Sequence, residues 1–183
     1  MPVSTKPHII PALALIVVAA LAMPTTAQEV SLPGGASTLN ETHGAWTVTC
    51  VIASQGDGGP VKRCALSQTQ LQSQTRQRAL AIELHPEGNG VDGTLILPFG
   101  LALASGVTYQ FDEGEAGAPQ QFRTCLPAGC LIDIAFDAST VESLKVGNVL
   151  KINASADGGQ EITFSVSLAG FSSAYDRVAA LMR

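Results

Sequence analysis

From Ala45 onward the chain alternates apolar and polar residues with a period of two. Trp46, Val48, Cys50 and Ile52 share one side of a first extended segment. Leu80, Ile82 and Leu84 repeat the pattern, with Glu83 and His85 opposite. Segments 95–97, 107–111, 130–136, 149–154 and 162–168 continue it, with further strands expected at 62–70 and 121–125. This period belongs to strands that bury one face and wet the other. Clusters of Gly, Pro and Asp at 56–60, 86–93, 114–119 and 157–159 supply the turns between them. With no long helices interleaved, the pattern predicts an all-β fold, an antiparallel β-sandwich of about 8–9 strands. Its core should contain Trp46, Ile82, Leu84, Ile134 and Phe164.

Two short helices interrupt the strands. Ser139-Thr140-Val141-Glu142 has the form of a capping box and predicts a helix near 139–146, stopped by Gly147. Near the end, Ser172 or Ser173 can cap a helix near 172–182, with Tyr175, Val178, Ala179 and Met182 at helical spacing. Residues 28–43 carry no period and read as a loose arm, so a single domain is expected over 44–183.

Residues 1–27 have the form of an export signal. Lys6 and His8 precede an apolar run from Ile9 to Ala22, Pro24 breaks it, and small residues end at Ala27. The run is short for a membrane span, which needs about 20 residues. The expected product is therefore a mature chain starting at Gln28 with no membrane span, in a periplasmic or secreted location. Only 14% of the 183 residues are charged, and 10 Lys plus Arg against 15 Asp plus Glu leave a net charge of −5. So few cations argue against a nucleic-acid partner, whose phosphates need a basic surface.

All four cysteines, Cys50, Cys64, Cys125 and Cys130, follow the leader. An even number behind an export signal reads as a disulfide framework, for which about three pairings are formally open. The local pairing, Cys50–Cys64 and Cys125–Cys130, is favoured because each loop contains turn residues: Gly56 to Pro60 in one, Pro127 and Gly129 in the other. A zinc site fits less well, since no Cys-x-x-Cys occurs and His43 and His85 are the only histidines after the leader. No cofactor is expected.

Motifs with catalytic chemistry are weak. Gly88-Asn89-Gly90-Val91-Asp92-Gly93 matches a dinucleotide-binding pattern in form. That pattern operates only where a helix follows, and here the strand Leu95-Ile96-Leu97 does. A nucleophilic triad would have to recruit His43 on the arm or His85 at a strand end; for each, a turn or surface histidine is the simpler reading. Asp112, Glu113 and Glu115 are simplest as solvated turn carboxylates, with a weak cation site as the alternative. Arg123 lies between Phe122 and Cys125 and is expected to be partly buried, holding a carboxylate or loop carbonyls rather than clamping a ligand. Gln68, Gln70, Gln72 and Gln74 would share one strand face, as a solvated hairpin or as a contact surface. Trp46, Tyr109 and Tyr175 are the aromatic side chains with polar tips that a carbohydrate site could use, although Trp46 reads as core.

Taken in order, several segments resemble one family. They are Trp46-x-Val48-x-Cys50; Cys64 with Ser67-Gln68; and Leu97-Pro98-Phe99-Gly100-Leu101. Phe122-Arg123-Thr124-Cys125-x-Pro127-x-Gly129-Cys130 follows, then Ser167-Leu168-x-Gly170-Phe171. Together they are similar to the invasion-associated locus B family of bacterial envelope proteins, over nearly all of the chain after the leader. The resemblance implies a periplasmic or secreted β-sandwich-like protein of a Gram-negative bacterium, linked in some members to host-cell invasion. It carries over no catalytic residues; Trp46, Pro98, Gly100, Arg123, Pro127, Gly129, Gly170 and Phe171 enter as motif positions. It favours a non-enzymatic protein whose partner is an envelope or host-surface protein or polymer. A small-ligand or carbohydrate-binding module and a periplasmic hydrolase are the alternatives.

Overall fold

The computed structural model describes residues 30–54 and 59–183, together with Met1 and Gly56. The proposed leader, its cleavage point at Ala27 and the tip of the 56–60 turn lie outside the described residues. Ten strands follow in chain order: β1 (Thr38–His43), β2 (Trp46–Ser54), β3 (Pro60–Leu71), β4 (Arg78–Glu87), β5 (Gly90–Leu97), β6 (Val107–Phe111), β7 (Thr124–Leu126), β8 (Gly129–Phe136), β9 (Val149–Ser155) and β10 (Glu161–Ser167). Helix α1 (Ala138–Val146) lies between β8 and β9, and α2 (Phe171–Met182) ends the chain. Seven strands form one sheet in the order β1-β2-β3-β4-β5-β8-β7, and three form a second, β10-β9-β6. All pairings of these strands are antiparallel. The expected β-sandwich class therefore holds, with the second sheet much the smaller.

Alternation explains the layering. One face of the large sheet presents Trp46, Val48, Cys50, Leu66, Ile82, Leu84, Leu95 and Ile132, all buried. The small sheet adds Val107, Leu150, Ile152 and Val166 to the same core, and the helices add Val141, Leu144, Phe171 and Val178. Trp46 sits at the junction: its ring meets Phe171 edge-on at 5.3 Å, and its Nε1 donates to Ser167 O at 2.9 Å. Phe164 is only half-buried, because it lies on β10 at the edge of the small sheet.

Several local expectations change. The arm is not loose beyond Ser37: β1 pairs with β2 from Thr38↔Val51 to His43↔Trp46. It shows no hydrophobic period because it is an edge strand whose inward side carries Leu39, Glu41 and His43. The 86–93 turn shrinks to Gly88-Asn89, since β4 runs to Glu87 and β5 starts at Gly90. Within β5, Gly93 lets the Glu83 carbonyl of β4 approach where a Cβ would collide with it. The cap of α1 is Asp137, whose carboxylate accepts from the Thr140 amide at 2.8 Å, while Ser139 donates its hydroxyl to Asp137. Gly170, in the left-handed region at φ 87°, precedes α2 in place of a serine cap. The buried stripe of α2 is Phe171, Ala174, Tyr175, Val178 and Leu181, and Met182 is exposed.

Both disulfides take the local pairing. Cys50–Cys64 joins directly opposed residues of β2 and β3, and Cys125–Cys130 those of β7 and β8. Among the described residues no helix is long and apolar enough to cross a membrane.

Candidate functional site

Both helices and the small sheet pack on one face of the large sheet, which leaves its other face uncovered among the described residues. This outer face is built mostly from short side chains, so the backbone pleat itself forms shallow hollows. One, of about 430 Å³, is lined by Thr49, Val51, Arg63, Ala65, Ser67 and His85. Its neighbour, of about 290 Å³, is lined by Thr69, Arg78, Ala81, Thr94 and Ile96; Ser67 and Glu83 belong to both. His85 lies here, with Nε2 at 3.1 Å from Glu83 Oε1 and Nδ1 at 3.2 Å from the Cys64 carbonyl. The Cys50–Cys64 bridge fastens the strands beneath it.

At one end of this sheet, Phe99 is 62% and Leu126 49% exposed. Both belong to motif segments: Phe99 follows Pro98 and precedes Gly100 at φ 90°, and Leu126 precedes Pro127 in the turn closed by Cys125–Cys130. Gly129, at φ 132°, lets the turn approach the Leu97 carbonyl. Arg78, on β4 of the same sheet, reaches past β5 to donate to the Ala128 carbonyl in that turn. Arg123 is exposed, not partly buried; its Nε lies 3.0 Å from Asp133 Oδ1, the carboxylate contact expected of it.

A third feature is a cleft of about 280 Å³ where the two sheets diverge. Tyr109 and Phe111 of β6, Phe136 and Ala135 of β8, and Ala118 and Glu115 of the intervening loop are among its walls. Tyr109 stacks edge-on against Phe136 at 5.3 Å. Its hydroxyl is buried without a hydrogen-bond partner among the described residues, and burial pushes the phenol well above its ordinary range.

The remaining candidates serve the fold. His43 lies in β1, with Nδ1 3.2 Å from Ser173 Oγ and Nε2 3.4 Å from Glu41 Oε2. This has the outline of a triad, but Ser173 gives its one proton to the Gly170 carbonyl at 3.0 Å. Glu41 is clamped by two 2.7 Å bonds from Arg177, whose guanidinium holds the carboxyl below the ordinary glutamate range. The group fastens β1 to α2. Gln68 and Gln70 are not a solvated hairpin face: they reach across to the backbone of β10 at Ser167 and Ser165. Gln72 sits at the following turn. Asp112 accepts from the Asn148 and Val149 amides at 3.0 Å, and Glu113 pairs with Lys151 at 2.7 Å. No cluster of three or more metal-ligating side chains occurs among the described residues. Trp46 and Tyr175 are buried, and Lys145 covers the Tyr175 ring at 4.6 Å, so neither offers a sugar platform.

The inward position of Gln68 had a signal in the sequence: it continues the period of Cys64 and Leu66. The Glu41–Arg177 pair and the cleft had none.

Comparison with known proteins agrees with this architecture. The family model described as invasion associated locus B (IalB) protein matches residues 46–179. An invasion protein B homolog of Brucella abortus is 45% identical over 155 residues, covering 84% of this chain and 86% of the relative. Invasion protein B of Bartonella bacilliformis is 34% identical over 157 residues, covering 84% and 81%. The crystal structure of invasion associated protein b from Bartonella henselae superposes with a TM-score of 0.70 at 33% identity, covering 78% of this chain and 96% of that one. Match, identity and fold together make this chain a member of the invasion associated locus B family.

Proposed function

We propose that the protein is a non-enzymatic component of the bacterial envelope, periplasmic or secreted, that acts by contact with an envelope or host-surface protein or polymer. The observation that carries this reading is the uncovered face of the large sheet. A sheet whose broad outer face sets short Thr, Ser and Ala side chains among a few charged ones, Arg63, Arg78 and Glu83, offers a flat polar surface suited to another macromolecule. Two disulfides fit an oxidising compartment. The relatives' names, invasion protein B, fit a role in contact with a host cell.

The test is affinity capture from envelope extract and host-cell surface fractions with the mature protein and its Ser67→Arg variant. Ser67 borders both hollows, so a long cation there obstructs the face without entering the core. The reading requires a captured species that Ser67→Arg loses while its melting temperature stays unchanged. Capture that is indifferent to the substitution would overturn it.

A further inference from the structure

The large sheet has an unfinished edge. β7 covers β8 only from Gly129 to Leu131, through the pairs Leu126↔Gly129, Cys125↔Cys130 and Thr124↔Leu131. The last bond of this series runs from Arg123 N to Leu131 O at 2.8 Å. Beyond it β8 continues to Phe136, paired only on its β5 side. The Leu131 carbonyl points away from β5, and strand geometry repeats every second residue, so the N–H and C=O groups of Asp133 and Ala135 point the same way. Neither residue's backbone has a partner on that side among the described residues.

These groups open onto the cleft between the sheets. Its far wall is the loop that crosses back along β6, held there by Gly117 N to Tyr109 O at 2.8 Å and by reciprocal bonds between Val107 and Gln120. The slot thus has the unpaired edge of β8 on one side, a fixed loop on the other and the rings of Tyr109, Phe111 and Phe136 as apolar lining. Two further features select an occupant. The Tyr109 hydroxyl is buried and has no hydrogen-bond partner among the described residues. The Glu115 carboxylate at the rim has no cation within ion-pair distance among the described residues, unlike Glu113 or Asp133.

We infer that this cleft binds an extended, basic peptide segment of another protein, which adds to the large sheet as a strand beside β8, in line with β7. Unpaired backbone donors and acceptors in a row are met most completely by another extended backbone, and the apolar lining then receives one side chain of the guest. Glu115 attracts a lysine or arginine beside it. Arg123, held against Asp133, closes the end toward β7. This inference goes beyond the contact reading above and concerns a different surface, so either can fail alone.

The test uses the isotopically labelled mature protein and synthetic peptides in which lysine alternates with valine, leucine or phenylalanine. Amide hydrogen exchange and chemical shifts are followed on titration. Binding should slow exchange at Asp133 and Ala135 and shift the Tyr109 and Phe136 resonances. A peptide N-methylated on alternate residues, on the side that faces β8, should bind about tenfold more weakly, since its backbone donors to the Asp133 and Ala135 carbonyls are lost. A glutamate-containing counterpart should also bind more weakly. Ala135→Pro removes the edge N–H, and Ala118→Trp fills the cleft from its exposed wall as a second variant should the first misfold. Both should abolish the shifts while the Ser67→Arg variant retains them. The inference is overturned if no peptide of the set protects Asp133 and Ala135, if N-methylation is without effect, or if the free protein dimerises through this same edge.

Discussion

Gln68 is the one polar side chain in the buried core among the described residues, at 7% exposure. Its Nε2 donates to Ser167 O at 2.9 Å, and its Oε1 accepts from Ser167 N at 3.2 Å and from Gln70 Nε2 at 2.9 Å. One amide of the large sheet thus occupies the place a strand would take beside β10. Replacing Gln68 by Leu keeps most of the volume, and the structure says which group is then orphaned. The Ser167 carbonyl retains its bond from Trp46 Nε1, and Gln70 retains Ser165 O, but Ser167 N–H is left with nothing. An orphaned buried donor costs about 1–3 kcal/mol. Urea unfolding with the disulfides intact should show the midpoint falling by about 1 M at unchanged slope, for a slope of about 1–3 kcal/mol/M.

Gln68→Glu sharpens the reasoning. Its carboxylate can still accept from Ser167 N–H, but it brings a negative oxygen against the Ser167 carbonyl in a buried place, whereas the protonated acid can donate there. The folded-state pKa of the new glutamate must therefore rise above its unfolded value, near 4.3. The sign follows: below the unfolded pKa the variant approaches wild-type stability, and the deficit grows as pH rises from there through the folded value. A Gln68→Leu cost under about 0.5 kcal/mol, as for an ordinary surface change, would refute this account of Gln68. So would a Gln68→Glu deficit that ignores pH.

Three further outcomes are expected. Removing Cys50–Cys64, a separation of 14 residues, should cost about 3 kcal/mol and lower the melting temperature more than removing Cys125–Cys130, a separation of 5, as calorimetry of the paired alanine variants can check. Leu84→Ala, at a fully buried position in the central strand β4, should cost about 2–5 kcal/mol in chemical denaturation, and a value near zero would place the residue outside the core. Hydrogen bonds from Thr140, then Ser139, hold the Asp137 carboxyl below the ordinary aspartate range, so its contribution is present above the unfolded pKa and lost as pH falls through the lower folded value. The gap in melting temperature between wild type and Asp137→Ala should therefore close in strong acid and stay open at neutral pH.

What was legible in the sequence were elements that meet the core once per two residues. Strands 107–111 and 149–154 could be read nearly to their ends because each lies on the core with one face. β1 could not, since an edge strand tucked under α2 through Glu41 and His43 has no apolar stripe to reveal it. At α1 two capping patterns overlap, and the backbone position of Asp137 wins; Ser139, already inside the helix, turns its hydroxyl back to Asp137. The cleft was illegible for a different reason. Whether Asp133 and Ala135 are paired depends on how far β7 extends beside β8, which no local pattern of either strand encodes. The motif residues fall between these cases: their spacing marked them as a set, but their physical role appears only when distant segments meet.

Gly170 makes that last point testable. At φ 87° it turns the chain from β10 into α2, and a Cβ there would collide with the His43 carbonyl and lie 2.9 Å from Gly44 N. Across the junction, Gly44 stands at φ 59° with its own would-be Cβ 2.5 Å from the Ala169 carbonyl. Two backbones thus cross without side chains between them, locked by Ala45 N donating to Ala169 O at 2.9 Å. Neither can retreat without breaking that bond and lifting the β1–β2 turn from α2, together with the Trp46–Phe171 contact beside it. Gly159 provides the control, because it has nearly the same φ, 85°, with nothing within 4 Å of its would-be Cβ. Gly159→Ala should cost only the left-handed backbone penalty, about 1–2 kcal/mol. Gly170→Ala should add the collision to that penalty and exceed about 3 kcal/mol, the range of a buried steric defect. Equal losses in parallel urea titrations would mean that Gly170 is needed for its φ alone, and that the crossing of His43–Gly44 over Ala169–Gly170 contributes nothing to holding the helix on the sheet.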